Sequence, residues 1–231
     1  MGSPNQMLFI ERRAARFRGP FLEVGSKDYG TTQDLRRLFS PQGRYVGVDM
    51  EHGAGVDAVL DLTQDFAAID TALGRERFGT IFCLSVLEHC AQPFHMAANL
   101  TRLLRPDGQL CISVPFSWKF HGYPSDYWRF THEGVRKLFP DCEFDMADGT
   151  SASSQPGEFA RLDENLGKVE FSGQAHRRRG RFLRGVTASV LKTIADVGPL
   201  RWFAGYRYVL APTEVMMIGR PRSAAERSRA A

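Results

Sequence analysis

The chain has 231 residues and a formal net charge of +4, and 43% of its residues are hydrophobic. This length and composition allow one sizeable core and favour a single α/β domain over two small domains. The longest apolar stretches, such as residues 110–116, are far shorter than the roughly 20 residues of a membrane span, and the N-terminus lacks a hydrophobic signal segment. These features exclude a membrane-spanning protein and predict a soluble, cytoplasmic one.

The first half of the chain alternates between strand-like and helix-like segments. Short apolar runs at residues 21–24, 45–49, 58–62, 80–86 and 109–116 predict five strands, and apolar residues at helical spacing predict helices over 32–39 and 93–104. This alternation predicts a doubly wound, mostly parallel sheet, because right-handed crossovers place helices on both faces. In such a sheet, ligands bind beyond the carboxyl ends of the strands.

The second half of the chain is less regular. An aromatic-rich loop at 117–130 precedes a helix at 131–139 that Thr131 would cap, and strands are predicted at 142–147 and 213–219. We expect residues 149–205 to form a lid-like insertion between the sixth and seventh strands. Residues 1–221 would then form one domain, and residues 222–231 a disordered tail.

Positive charge is concentrated near the C-terminus. Residues 1–170 contain 18 Lys and Arg against 23 Asp and Glu, whereas residues 171–231 contain 12 against 3. The segment 175–197 combines arginines with an apolar stripe at helical spacing, which usually means a solvated charged face over a packed one. The same pattern suits an anionic substrate or peripheral contact with an acidic membrane. No nucleic-acid recognition motif is present, so we expect no nucleic-acid partner.

Two acidic residues at predicted strand ends indicate an adenosine-containing ligand. Glu23 and Gly25 lie where the first strand enters its turn, and glycine permits close backbone approach. Asp49 ends the second strand, where a carboxylate can accept both hydroxyls of a ribose. A nicotinamide dinucleotide site needs G-x-G-x-x-G, and here only Gly25 and, out of register, Gly30 are present.

The order of the motifs resembles that of class I S-adenosylmethionine-dependent methyltransferases, particularly methyltransferase type 11. The matching stretches are FLEVGS (21–26), YVGVDM (45–50), VDAVLDL (56–62), CLSVLEH (83–89), LLRPDGQLCISVPF (103–116) and HGYPSDYWRFTHEGVRKLF (121–139). The resemblance implies a Rossmann-like sheet of seven strands with an antiparallel last strand. It also implies S-adenosylmethionine as cofactor.

The resemblance places the first motif at the methionine end of the cofactor, the second at its ribose and adenine, the third beside the adenine, and the fourth along the methionine side. The corresponding residues are Glu23, Gly25, Ser26, Asp49, Met50, Asp61, Leu62, Ser85 and His89. Lys27 and Tyr29 replace glycines of the family motif, and we expect Lys27 to pair with the cofactor carboxylate. Asp61 can also serve as a turn or capping residue, and His89 as a packed histidine.

The loop at 121–130 contains the candidate catalytic residues His121, Asp126 and Tyr127. Methyl transfer to a hydroxyl needs alignment of the reactants and removal of a proton, for which His121 and Asp126 are suitable bases. Alternatively, the aromatic residues pack the loop onto the sheet and Asp126 pairs with Arg129. No metal ligand set is predicted.

The sequence therefore predicts a methyltransferase that acts on a small-molecule or glycan-like acceptor, with oxygen as the nucleophile. Two other readings remain open: a non-catalytic binding protein with the methyltransferase fold, and a nicotinamide-dependent oxidoreductase. The oligomeric state is not predicted.

Overall fold

The computed structural model describes residues 3–30, 35–122, 124–163, 166, 173–178, 180–196 and 212–230. Where a single domain was expected, the chain divides into two compact units. The first consists of Met1–Leu162 together with Thr213–Ala231, and the second of Asp163–Pro212. The sheet and the predicted site residues lie in the first unit. No helix within these described residues is long and apolar enough to cross a membrane.

The described residues form one sheet of nine strands. The strands are β1 (Phe21–Val24), β2 (Tyr45–Asp49), β3 (Ala58–Val59), β4 (Phe78–Leu84), β5 (Leu104–Pro115), β6 (Cys142–Phe144), β7 (Thr150–Ala152), β8 (Phe159–Arg161) and β9 (Glu214–Pro221). The order β3-β2-β1-β4-β5 is parallel throughout, and β9 runs antiparallel to β5. This confirms the predicted doubly wound sheet with an antiparallel last strand.

The strand count differs from the predicted seven because β9 is long enough to pair with two strands besides β5. Its C-terminal part pairs with β6, and its N-terminal part pairs with β7, which in turn pairs with β8. Both β7 and β8 come from the polar stretch that was expected to open the insertion. Each has only three residues, too few for a strand pattern to be visible in the sequence.

Eight α-helices lie in the described residues; five of them fall at least partly in the segments predicted to be helical, at 32–39, 93–104, 131–139 and 175–197, and the other three were not predicted. The eight helices are α1 (Pro4–Glu11), α2 (Leu35–Phe39), α3 (Phe66–Ala72), α4 (Pro93–Leu103), α5 (His132–Leu138), α6 (Gly173–Arg178), α7 (Phe182–Asp196) and α8 (Ala224–Ala230). Thr131 caps α5 as expected, since its side chain accepts a hydrogen bond from Gly134 N at 3.0 Å. Residues 32–34 of the first predicted helix lie outside the described residues.

Two expectations for the C-terminal part were wrong. The helix predicted over residues 175–197 is two helices, α6 and α7, and Gly180 between them has a φ of +70° that a continuous helix cannot contain. The tail predicted to be disordered contains α8, whose start Ser223 and Glu226 stabilise by exchanging side-chain-to-backbone hydrogen bonds. Glu226 also pairs with Arg220 of β9 at 2.7 Å, which fixes this helix to the sheet.

Fully buried phenylalanines hold the central strands against α2. Phe39 of α2 lies 5.1 Å from Phe21 of β1 and 5.0 Å from Phe82 of β4, measured between ring centroids. Phe17 contacts Phe82 edge-on at 5.2 Å. These contacts hold β1 and β4 in place, and the loops that follow these two strands form the candidate site.

Candidate functional site

The turn after β1 brings its backbone against the end of β4. Gly25 has a φ of +73°, a left-handed conformation that favours glycine. A Cβ atom there would lie 2.6 Å from Cγ2 of Val86, so a side chain does not fit. The backbone N–H groups of Gly25 and Ser26 both donate to Val48 O, at 2.9 and 3.1 Å. The turn is thereby held at the edge where β1, β2 and β4 all end.

Carboxylates lie at the ends of β1 and β2 beside this turn. Asp49 accepts hydrogen bonds from the backbone N–H of Lys27 and of Glu51, both at 3.1 Å. A carboxylate offers about four lone pairs, so Asp49 retains acceptor capacity for a ligand hydroxyl. Glu23 accepts from the Tyr45 hydroxyl at 2.9 Å. Met50, directly after Asp49, is 66% exposed.

Lys27 pairs with a side chain of the protein, and its expected pairing with the cofactor carboxylate stays a prediction. Its Nζ donates to Glu51 Oε2 at 2.5 Å and lies 5.1 Å from the centroid of the Tyr29 ring. The hydrogen bond with Glu51 raises the pKa of Lys27. Its aliphatic stem lies over Gly53, where a Cβ would be 2.8 Å from Lys27 Cγ. The ammonium is thus paired with a protein carboxylate, whereas a cofactor carboxylate was expected as its partner.

The predicted site residues after β3, Asp61 and Leu62, accept hydrogen bonds from other residues of the protein. Asp61 Oδ1 accepts hydrogen bonds from Thr63 N at 2.8 Å and from Thr63 Oγ1 at 2.7 Å, which is the turn role that competes with contact to adenine. Leu62 is buried, and its carbonyl accepts from Asn99 Nδ2 at 2.9 Å. This turn ends the strand at Val59, short of the predicted residue 62.

Ser85, at the end of β4, belongs to a buried polar network with α1. Gln6 Nε2 donates to the hydroxyls of Ser85 and Ser113, at 2.8 and 2.9 Å. Glu214 of β9 accepts from Ser3 Oγ at 2.5 Å and from Ser113 Oγ at 3.2 Å. Burial raises the pKa of Glu214. The N-terminal helix is therefore bound to the edge of the sheet where the candidate site lies.

The 3₁₀ turn after β4, Leu87–His89, carries a buried carboxyl group next to a histidine. The Glu88 side chain is 1% exposed, and its Oε2 has no hydrogen-bond partner among the described residues. Burial raises the pKa of Glu88 to about 8. His89 Nδ1 donates to Ser125 O at 2.5 Å, and burial lowers the pKa of His89. The ring is thus held with its Nδ1–H directed at this carbonyl.

His121, Asp126 and Arg129 form a chain of paired groups in the loop after β5. His121 Nδ1 lies 3.1 Å from Asp126 Oδ2, and Asp126 is bound by two guanidinium nitrogens of Arg129 at 2.5 and 2.8 Å. These hydrogen bonds hold the pKa of Asp126 well below its usual range, so Asp126 is a poor proton acceptor. It orients the His121 ring, which lies 4.9 Å from that of His89.

The remaining aromatic residues of the loop differ in burial, from the buried Phe130 to the exposed Tyr127. Trp128 Nε1 donates to Cys90 O at 2.8 Å, and Phe130 is buried, so these two side chains pack the loop onto the sheet. Tyr127 is 54% exposed, while its backbone N–H donates to Glu88 O at 2.8 Å. The anticipated Asp126–Arg129 pair is therefore present alongside the His121–Asp126 pair.

Sequence reasoning missed two residues at this edge, Gln6 and Glu88. The first lies in a helix whose start has a recognisable signature: Ser3 and Gln6 form a reciprocal capping box, with Pro4 at the first helical position. Glu88 lies next to His89 in the motif LEH, and the sequence carries no signal of its burial, because the loop after β5 covers it only in the folded chain.

Residues 22–112 match the family model described as "Methyltransferase domain". The ubiquinone biosynthesis O-methyltransferase of Actinobacillus pleuropneumoniae serotype 5b (strain L20) is 35% identical over 64 residues, which is 28% of this chain and 27% of that protein. The chain thus matches about a quarter of the length of this curated relative.

Solved structures share the fold across nearly the whole chain. A SAM-dependent methyltransferase from Archaeoglobus fulgidus has a TM-score of 0.54 at 13% identity, covering 95% of both chains. The 1,6-didemethyltoxoflavin-N1-methyltransferase of Burkholderia thailandensis, solved with S-adenosylhomocysteine, has a TM-score of 0.51 at 14% identity, covering 95% of this chain and 77% of that one. At such identities the likeness shows the fold. The chain therefore has the class I methyltransferase fold, and its residues 22–112 match the methyltransferase domain model.

Proposed function

We propose that the protein transfers a methyl group from S-adenosylmethionine to an oxygen atom of a small-molecule or glycan-like acceptor. The cofactor supplies an electrophilic methyl group on a sulfonium. The family match over residues 22–112 covers the Gly25 turn, Asp49 and the turn at Glu88 and His89. The Burkholderia neighbour binds S-adenosylhomocysteine, and the Actinobacillus relative is named an O-methyltransferase.

The strand ends fit an adenosyl ligand that carries an amino-acid end. The β1 turn presents bare backbone at Gly25, since its neighbour Val86 leaves no room for a side chain. Asp49 lies beside it with unused acceptor capacity for ribose hydroxyls. We assign Glu23 and Gly25 to the methionine end, and Asp49 and Met50 to the ribose and adenine. Asp61 and Leu62 border the site through the turn that they build.

His121 is the residue best placed to accept a proton from an acceptor hydroxyl. Its Nδ1–H faces the Asp126 carboxylate, so the neutral ring carries its basic lone pair on Nε2. Asp126 stays ionised beside Arg129 and stabilises the imidazolium that forms on proton transfer. This paired arrangement is the observation that carries the assignment of an oxygen nucleophile, because a hydroxyl must lose its proton on methylation.

The test combines cofactor binding with turnover. Calorimetry with S-adenosylmethionine should show binding, and an acceptor screen should show formation of S-adenosylhomocysteine. We expect His121→Gln to reduce kcat about 100-fold or more at unchanged cofactor affinity, since general-base catalysis contributes roughly 10²–10⁴-fold. His95→Gln, at an exposed histidine of α4, is the matched control. Cofactor binding with no turnover on any acceptor would favour the non-catalytic reading, and stabilisation by a nicotinamide dinucleotide alone would favour the oxidoreductase.

We also propose that the second unit contacts acidic membrane surfaces. Within that unit α7 buries Gly185 and Ala188, and apolar residues on another part of its surface are exposed. Basic residues are exposed in α6 and at the start of α7, so the unit combines apolar and cationic groups as an interfacial helix does. The exposed apolar residues are Phe182, Leu183, Val186, Val190, Leu191 and Ile194, and the exposed arginines are Arg177, Arg178, Arg181 and Arg184.

Vesicle co-sedimentation tests this membrane contact. The protein should sediment with vesicles that contain phosphatidylserine, and less with neutral phosphatidylcholine vesicles or at high salt. Replacing Phe182 and Leu183 by serine should weaken sedimentation, whereas Phe94→Ser, at an exposed apolar residue of α4, should not. Equal sedimentation of all three proteins would refute the role of α7. A cytoplasmic location remains the prediction of the sequence.

A further inference from the structure

Two histidines and a buried carboxyl group converge at the edge of the sheet. Glu88, His89 and His121 each offer a ligand atom, and these three atoms lie within 4.8 Å of one another. Glu88 Oε1 is 3.9 Å from His89 Nε2. The residues come from two segments, the turn after β4 and the loop after β5, and the fold brings them together.

The hydrogen bonds of both imidazole rings direct their Nε2 lone pairs in the way that metal ligands require. His89 Nδ1 donates to Ser125 O at 2.5 Å. His121 Nδ1 lies 3.1 Å from Asp126 Oδ2 and 3.3 Å from Lys119 O, both of which can only accept a hydrogen bond. Histidines that bind metals commonly donate their other ring N–H to a carboxylate or a backbone carbonyl in this manner.

Glu88 supplies a carboxyl oxygen that the protein itself does not satisfy. Oε2 is buried and has no hydrogen-bond partner among the described residues, and the side chain is 1% exposed. Burying a polar group without a partner is unfavourable by roughly 1–3 kcal/mol in protein mutational data. A cation bound by Glu88 and the neighbouring imidazoles would give this buried carboxyl group a partner.

Backbone and side-chain hydrogen bonds hold the two segments together. The N–H groups of Tyr127 and Trp128 both donate to Glu88 O, at 2.8 and 3.2 Å, and Trp128 Nε1 donates to Cys90 O at 2.8 Å. Arg129 fixes Asp126, which in turn orients His121. The two segments that carry the ligands are therefore held together before a cation binds, as a metal site needs.

We propose that Glu88, His89 and His121 bind a divalent transition-metal cation, for which Zn²⁺ is the probe. Two imidazoles and one carboxylate form a three-ligand set that leaves a position open for another oxygen ligand. Zinc bonds of about 2.0–2.2 Å would place the ligand atoms about 3.4 Å apart, so side-chain shifts of about an ångström close the site. Imidazole ligands favour Zn²⁺ over Mg²⁺, which prefers oxygen ligands.

Binding of the cation does not depend on methyl transfer, but its use in the reaction rests on the proposed function. The His121 lone pair can either accept a proton or bind the cation. A cation at this site would coordinate the acceptor oxygen through its open position and lower the pKa of the acceptor hydroxyl. The structure thus assigns His121 one of two alternative roles according to metal occupancy.

Zinc binding to the full-length protein, purified without a histidine tag, tests this proposal. After incubation with Zn²⁺ and desalting, the wild-type protein should retain one equivalent, measured by elemental analysis. Glu88→Gln and His121→Gln should each lose this equivalent, whereas Glu133→Gln and His95→Gln, at exposed positions, should keep it. Asp126→Asn should weaken Zn²⁺ binding about 10–100-fold through the orientation of His121. Mg²⁺ should not compete.

Several results would overturn the metal site. One is a wild-type protein that retains no zinc, and another is equal retention by the wild type and by folded Glu88→Gln and His121→Gln variants. Circular dichroism of each variant establishes that it is folded. Because Glu88 is buried, Glu88→Gln can fail to fold, and His121→Gln, in the loop after β5, then provides the second test. Calorimetry with S-adenosylmethionine on the same samples reports separately on the proposed function. Cofactor binding without zinc refutes only the metal site, and zinc binding without cofactor refutes only the methyl-transfer proposal.

Discussion

Replacing Gly25 by alanine should damage the β1 turn through two separable effects. The left-handed backbone disfavours a Cβ by about 1–2 kcal/mol, and alanine recovers about 0.4–1 kcal/mol by restricting the unfolded chain. The second effect is the contact with Val86, because a Cβ would lie 2.6 Å from its Cγ2. Overpacking of this kind typically costs about 1–3 kcal/mol. The free energy of unfolding should therefore fall by about 1–5 kcal/mol.

A second glycine of the same loop separates the two effects. Gly30 has a φ of +79°, and a Cβ there would meet no atom of the described residues within 4 Å, so Gly30→Ala should cost only about 1 kcal/mol. Urea denaturation of both variants gives the difference that is due to the contact. Val86→Ala should raise the free energy of unfolding of the Gly25→Ala variant but not that of the wild type, because it removes the contact between the new Cβ and Val86 Cγ2. If Gly25→Ala costs no more than Gly30→Ala, the close approach of the turn to β4 is wrong.

Two further predictions concern charged groups near the site. Because burial raises the pKa of Glu214, this carboxyl group stays protonated to a higher pH in the folded state than in the unfolded state. The free energy of unfolding should therefore fall as the pH rises from about 4.3, the ordinary Glu pKa, through the higher pKa of the folded state. Urea unfolding across this range should show a smaller fall in Glu214→Gln, and an equal fall in both proteins would contradict the assignment. Since Lys27 pairs with Glu51, Lys27→Ala should change the calorimetric affinity for S-adenosylmethionine less than about fivefold, the usual scale of exposed ion pairs. A larger loss in Lys27→Ala, absent from Glu51→Gln, would restore the pairing of Lys27 with the cofactor carboxylate.

Local pattern was sufficient for the elements that place the adenosyl side of the site. The apolar runs that became β1 and β2 were predicted to the residue, and α4 to within one residue, because burial on both faces of a parallel sheet and a single apolar helix stripe leave direct periodic signals. Gly25 and Asp49 follow directly from these strand ends. The sequence by itself therefore determined the doubly wound core and the edge of the sheet where the candidate site lies.

Tertiary structure decided the features that depend on distant partners. The strand β7 pairs with the edge of β9 that β5 leaves open, and β8 pairs with β7 in turn. Lys27 pairs with Glu51 because Glu51 lies within reach. Glu88 and His121 come together only when the loop after β5 hydrogen-bonds to the turn after β4. Such contacts join segments far apart in the chain, and neither segment carries a periodic signal of its partner, so only the folded chain brings this cluster of two histidines and one carboxyl group into a single site.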